Sequence, residues 1–149
     1  MHNNVLIASL DRLAQRLGAS THREVWVSTK TVQGYIDLII RKGDLCVACE
    51  AENSPRRVRN DIRKAAALGA HYLLIVVPTG LVGRAVRRCL RRIGDCGLRR
   101  QVGVEVVLLA QANQRLQELL SFDDKGECQA DIKTSMPGVK QKAETGPES

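Results

Sequence analysis

Aromatic side chains are nearly missing from this chain, which has one Trp, two Tyr and one Phe in 149 residues. A protein that grips single strands by stacking base after base needs a row of such platforms, and little material for one is present. Long apolar runs are missing as well. No stretch approaches the roughly 20 apolar residues that span a bilayer, and the N-terminus lacks the charged, apolar and small-residue order of a secretory signal. No membrane partner is therefore expected, and a cytoplasmic location is. The five cysteines are odd in number and irregularly spaced, which fits reduced thiols and not a disulfide framework. Cys46 and Cys49 spell CxxC, but three residues apart on a strand they point to opposite faces and cannot close on one zinc. His22 and His71 have no partners at ligand spacing and are read as structural or surface residues.

What is present is a basic α/β pattern. With 44 % apolar content the chain suits one globular domain. Residues 121–149 are polar and rich in Gly, Pro, Lys and Glu, with too few apolar side chains to offset the cost of ordering, so they read as a disordered, flexible tail. The domain is then 1–120, with 19 basic and 10 acidic side chains, a net of +9. Charge of that sign and size favours a polyanionic partner, most often nucleic acid.

Val5, Leu6, Leu10, Leu13 and Leu17 recur at helical spacing and stop at Gly18. A short β-branched run at 24–28 follows, and then a hairpin, giving three consecutive antiparallel strands. Ser54-Pro55 is a hydroxyl N-cap with proline at the first helical position, and that helix runs to Leu68 before Gly69. Tyr72–Val77 is continuously apolar, as a strand covered on both faces must be. A helix at 81–93, a strand at 102–109 and a helix at 111–120 complete the order α-β-β-β-α-β-α-β-α. Strand, helix and buried strand imply parallel, right-handed crossovers and hence a mixed sheet. Thr79–Gly83 faintly resembles a phosphate turn but lacks the Gly and Lys pattern of one, and reads as a simple change of direction.

The hairpin carries the chemistry. Glu50 and Glu52 are two apart on one strand and share a face. With Lys42-Gly43 as the turn, Asp37 falls opposite Ala48, diagonal to Glu50, within reach of two carboxylates sharing one hard cation. Ile36, Leu38, Ile40, Leu45, Val47, Cys49 and Ala51 form the opposite, core face. Unneutralised, three such carboxylates repel, so a divalent cation or Arg neighbours are expected. A polar outer face paired with Arg41 and Arg57 is the competing account. Asp11, on the first helix, is either a further ligand or one more charge on a solvated face.

This arrangement, a helix, a three-strand meander, a helix and a strand, with Asp on the second strand and Glu-x-acid ending the third, resembles the PD-(D/E)XK nuclease superfamily. That is the restriction-endonuclease-like fold, which includes Holliday junction resolvases. The resemblance covers about residues 4–78 and implies a metal-dependent endonuclease using Mg²⁺ or Mn²⁺. Asp37 and Glu50 match the metal-binding positions. Glu52 stands where the family usually has Lys, as a second ligand or a base, and Ile36 replaces the motif proline. Lys64, on the following helix, is a replacement for the absent lysine.

Two basic surfaces flank the hairpin. Arg56, Arg59 and Arg63 form a row on one helix, with Arg57 beside them, and Arg84, Arg87, Arg88, Arg91 and Arg92 form an arc on the next, continued by Arg99 and Arg100. Guanidinium is suited to bidentate phosphate contact. The expectation is hydrolysis of phosphodiester bonds in duplex or branched DNA. The alternative is a nuclease-like module that has lost its chemistry and binds DNA or assembles with a partner. Homodimerisation stays open.

Overall fold

The computed structural model describes residues 2–94 and 101–121. The chain divides into a unit of residues 1–117 and a second of 118–149, and of the second only 118–121, the end of a helical segment, are described. Residue 121, expected to open the tail, instead ends the last helix, and the rest of the predicted tail, Cys96, Cys128, Arg99 and Arg100 lie outside the described residues.

The first unit contains a five-stranded mixed sheet in the order β1-β2-β3-β4-β5, the strands being Ser20–Ser28, Gln33–Lys42, Leu45–Ala51, Tyr72–Val77 and Gly103–Leu108. The first three are an antiparallel meander, and β3–β4 and β4–β5 are parallel. The helices are α1 (His2–Arg16), α2 (Val58–Leu68), α3 (Gly80–Ile93) and α4, residues 112–121. The expected order of elements holds. No helix among the described residues is long and apolar enough to cross a membrane.

Local chemistry sets the boundaries. Ser54 accepts a hydrogen bond from the Arg56 N–H, Pro55 opens a short 3₁₀ turn ahead of α2, and Gly69 ends α2 in the left-handed conformation. Thr79 caps α3 by accepting from the Val82 N–H. The faint phosphate turn is thus a helix start whose N–H is already taken by a side chain.

Both sheet faces are covered. Cys46, Ala48, Leu73 and Ile75 pack in one cluster with Val58 and Ile62 of α2 and Val86 and Leu90 of α3. Leu38, Ile40, Val47 and Cys49 are equally buried but belong to the other side, where α1 lies against β1, β2 and β3. The face of Glu50 and Glu52, which the competing account made a polar exterior, is therefore the interface with α2. A parallel strand such as β4, with both faces buried, reads as an unbroken apolar run for this reason.

The register differs from expectation by two residues. The turn is Gly43-Asp44, with Gly43 at φ 58, and Lys42 pairs with Leu45 instead of Arg41 with Asp44. An even slip by itself does not change the face of a side chain, and from Leu38 to Lys42 the predicted faces hold. The slip carries Asp37 from its place opposite Ala48 to one opposite Glu50. The paired ladder ends at Leu38↔Cys49, and beyond it the Asp37 carboxylate accepts the Ala51 N–H at 2.9 Å. On the other neighbour strand Glu24, across from Asp37, has φ 52, a conformation costly for a residue with a Cβ. Alternation breaks there, and Ile36 joins the cluster of Ile39 and Ala48 instead of keeping to the other face. β1 also begins at Ser20, four residues before the apolar run that revealed it.

Candidate metal centre

The alternation of β3 that sends Cys46 and Ala48 under α2 sends Glu50 there too. Glu50 and Glu52 are only 3 % and 5 % exposed, and α2 meets them with Asp61, 1 % exposed, and Lys64. Asp61 and Lys64 reach the cluster because α2 buries Val58, Asp61, Ile62, Lys64 and Ala65 on one stripe. Sequence reading missed Asp61. The signal was available, since Val58, Asp61, Ile62 and Ala65 follow the i, i+3, i+4, i+7 spacing of a core-facing stripe.

Lys64 Nζ lies 2.9 Å from Glu50 Oε2 and 3.4 Å from Asp61 Oδ1, and donates to the Tyr35 carbonyl at 2.6 Å. Room for its stem comes from Gly34, where a Cβ would sit 3.3 Å from Lys64 Cδ. Arg57 Nε is 3.6 Å from Glu52 Oε1, but its side chain is largely exposed and screened by water. One buried cation thus faces three buried carboxylates, with the half-buried Asp37 at their side.

That imbalance moves the protons. Burial pushes Glu50 up to about 8, opposed by Lys64 and reinforced by Asp37 and Glu52. Burial pushes Asp61 up to about 10, helped by hydrogen bonding to Glu52 and by the charges of Glu50 and Glu52. Lys64 is raised on balance, because the attraction of Glu50 and Asp61 outweighs a burial that would lower it. Lys64 is the cation that meets Glu50 Oε2 and Asp61 Oδ1, while Asp61 Oδ2 is met by no N–H or hydroxyl donor among the described residues. Ionised carboxylates can only accept, so Asp61 is satisfied either by a proton shared with Glu52 or by a cation.

Glu50, Glu52 and Asp61 each offer one oxygen, and the three oxygens lie within 4.8 Å of one another. Three clustered carboxylate oxygens are the hard donor type that magnesium or manganese takes, and here Lys64 and Arg57 already pair with them. Of the expected ligands, Glu50 and Glu52 are brought together. Asp37 is not in that group, its Oδ2 being engaged by the Ala51 N–H; Asp61 stands in its place. Lys64 lies within the cluster. Asp11 lies on α1, hydrogen-bonded by Gln15 Nε2 at 2.8 Å.

The flanking arginines lie on the same side of the sheet as the carboxylates. Arg56, Arg57 and Arg59 are exposed and Arg63 half-buried, and Arg84, Arg87, Arg88, Arg91 and Arg92 are all exposed on α3. Arg87 is partly engaged, donating to the Val106 carbonyl at 3.2 Å. His71 is structural, its Nδ1 accepting the Cys46 N–H at 3.1 Å. Cys46 and Cys49 are both buried free thiols, and Cys89 is a half-buried one.

No protein-family model and no curated protein matches the chain. Among solved structures it is similar to AF1548, a protein of unknown function, at 13 % identity and a TM-score of 0.44, over 69 % of this chain and 58 % of that one. This chain therefore spans less than two thirds of that protein's length.

Proposed function

We propose that this protein is a magnesium-dependent phosphodiesterase acting on duplex or branched DNA. The observation that carries the reading is the group of Glu50, Glu52 and Asp61, three buried carboxylates with converging oxygens that share one buried cation, Asp61 Oδ2 being left without a donor. Burying such groups without partners costs several kcal/mol, roughly 1–3 for each unsatisfied acceptor and more if charged. A protein recovers that cost when a cation binds.

Glu52 connects the cluster to solvent. It lines a polar hollow of about 320 Å³ together with Asn53, Ser54, Arg56 and Arg57. The two guanidinium groups would hold a backbone phosphate at the mouth of this hollow. Lys64 holds Glu50 and Asp61 in place and keeps their joint charge from repelling the phosphate. A divalent cation bound by the three oxygens would neutralise the phosphate and lower the pKa of an attacking water. Glu52 is the carboxylate positioned to accept that water's proton as its oxygen bonds to phosphorus and the ester oxygen departs. The exposed arginines of α3 supply sequence-independent attraction to the rest of the backbone.

A second reading has its own observation. Lys64 already supplies a cation 2.9 Å from Glu50 and Arg57 one 3.6 Å from Glu52, and with protonated Asp61 the cluster is electrically complete, as in a DNA-binding module without chemistry. One experiment separates the two. Supercoiled plasmid and a branched oligonucleotide are incubated with the protein in Mg²⁺ or in EDTA. Cleavage in Mg²⁺ alone, abolished by Glu50→Gln, is the expected outcome. Binding without cleavage in either condition selects the module.

A further inference from the structure

Glu52 and Asn53 stand between two hollows of contrasting chemistry. The first is the polar one walled by Arg56 and Arg57. The second, of about 560 Å³, is lined chiefly by aliphatic side chains, among them Leu6, Val77, Pro78 and Leu109, with Ser9, Asn113 and the shared Glu52 and Asn53 as its polar groups. Its volume is typical of sites for small organic molecules, roughly 300–1,000 Å³. It opens at the C-terminal ends of β3 and β4, two parallel strands, where open α/β sheets leave a binding crevice. Ser9 and Asn113 hydrogen-bond each other across it, Asn113 Nδ2 to Ser9 Oγ at 3.1 Å, leaving further donor and acceptor capacity for a ligand.

A nucleotide is divided in the same way. Its phosphate demands cations, and its base presents flat apolar faces with a rim of donors and acceptors. We propose that the two hollows are one nucleotide subsite, with the phosphate against Arg56 and Arg57 and the base in the apolar hollow, its edge meeting Asn53, Ser9 and Asn113. Glu52, shared by both, then stands beside the link between base and phosphate. Aliphatic walls hold any base by burying its faces, while amide and hydroxyl groups read its edge. A base can enter only if it is unpaired or turned out of the stack, so strand ends, flaps and branch points are the DNA that fits, since extruding a base from intact duplex costs a few kcal/mol. The nucleotide's origin in DNA rests on the function proposed above; the division of the site into two hollows does not.

The test compares three probes without metal: deoxyadenosine monophosphate, deoxyadenosine and inorganic phosphate, titrated calorimetrically. The monophosphate should bind at least about tenfold tighter than either fragment, a difference of about 1.4 kcal/mol. Ser9→Phe and Asn113→Phe, each filling the apolar hollow from its rim, should remove that advantage and leave phosphate affinity unchanged, in proteins whose urea midpoint shows that they fold. Arg57→Gln should weaken the monophosphate and phosphate alike. A monophosphate that binds no tighter than phosphate, or that binds equally well to both filled variants, overturns the proposal. A flapped duplex carrying 2-aminopurine at the unpaired position identifies the source. Emission altered by wild type but not by Ser9→Phe assigns the site to DNA, and unaltered emission alongside monophosphate binding assigns it to free nucleotides. Absence of cleavage in the plasmid assay would count against the nuclease reading while leaving the three-probe comparison intact.

Discussion

α2 and α3 lie on one face of the same sheet and share one apolar cluster, yet they treat charge in opposite ways. α3 buries Gly83, Val86, Leu90 and Ile93 and turns all five of its arginines to solvent. α2 buries Asp61 and Lys64 among Val58, Ile62 and Ala65. A helix that only packs and stays soluble has no reason to place a carboxylate at 1 % exposure. Polar residues within an apolar stripe are therefore the informative ones, while those opposite it divide among solubility, attraction of a polyanion and incidental charge.

The sharpest way to break this contrast is to remove the buried cation. Lys64→Met leaves Glu50, which ionises near pH 8, without its counter-charge and should cost about 3 kcal/mol in urea unfolding at pH 9, the size expected when one partner of a buried pair is deleted. The triple replacement Arg84→Gln, Arg88→Gln and Arg91→Gln should cost no more than about 0.5 kcal/mol per site. Equal losses from the two helices would erase the distinction.

The pH dependence of stability comes next. Glu50 and Asp61 are raised to about 8 and about 10 from ordinary values of 4.5 and 3.8. Their folded forms hold protons that the unfolded chain has released, so their contribution is complete in acid below those ordinary values. It falls as pH rises through 8 and, for Asp61, towards 10. Asp61→Asn, which needs no proton to be neutral, should flatten this decline and raise the urea midpoint of the metal-free protein at pH 8. A decline of the same steepness in the variant would place its cause elsewhere.

How far the sequence reached follows from the same physics. Elements with strong local signals were legible: the Ser54-Pro55 start and Gly69 stop of α2, and the unbroken apolar β4. Glu50 and Glu52 could be paired because alternation along one strand needs no tertiary information. Asp37 could be placed on a face but not in a register, since moving the turn from Lys42-Gly43 to Gly43-Asp44 shifts its partner by two residues without changing parity. The kink at Glu24 has no such signature, because a positive φ at a glutamate is imposed by its neighbours. Asp61 was legible in the spacing of α2, but a charged side chain on a helix ordinarily faces water, and that rule hides the exception.

A smaller effect concerns the exposed side of α3 alone. If its arginines bind phosphates, the triple variant should lower the dependence of log K on log salt by about 2.7 in DNA-binding titrations, about 0.9 for each phosphate no longer neutralised, and should do so equally for unrelated sequences. An unchanged slope in the folded variant would assign these residues to solubility or to a protein partner.

The central claim is that Glu50, Glu52 and Asp61 form a divalent-cation site, and calorimetric titration with Mg²⁺ or Mn²⁺ in two buffers of different ionisation enthalpy addresses it most directly. Because Glu50 and Asp61 hold protons at neutral pH, the account predicts that binding releases protons, tightens as pH rises from 7 to 9, and is lost in Asp61→Asn and in Glu50→Gln. Heat of binding that is unaffected by these substitutions, or no binding by a folded wild-type protein at pH 9, would contradict it.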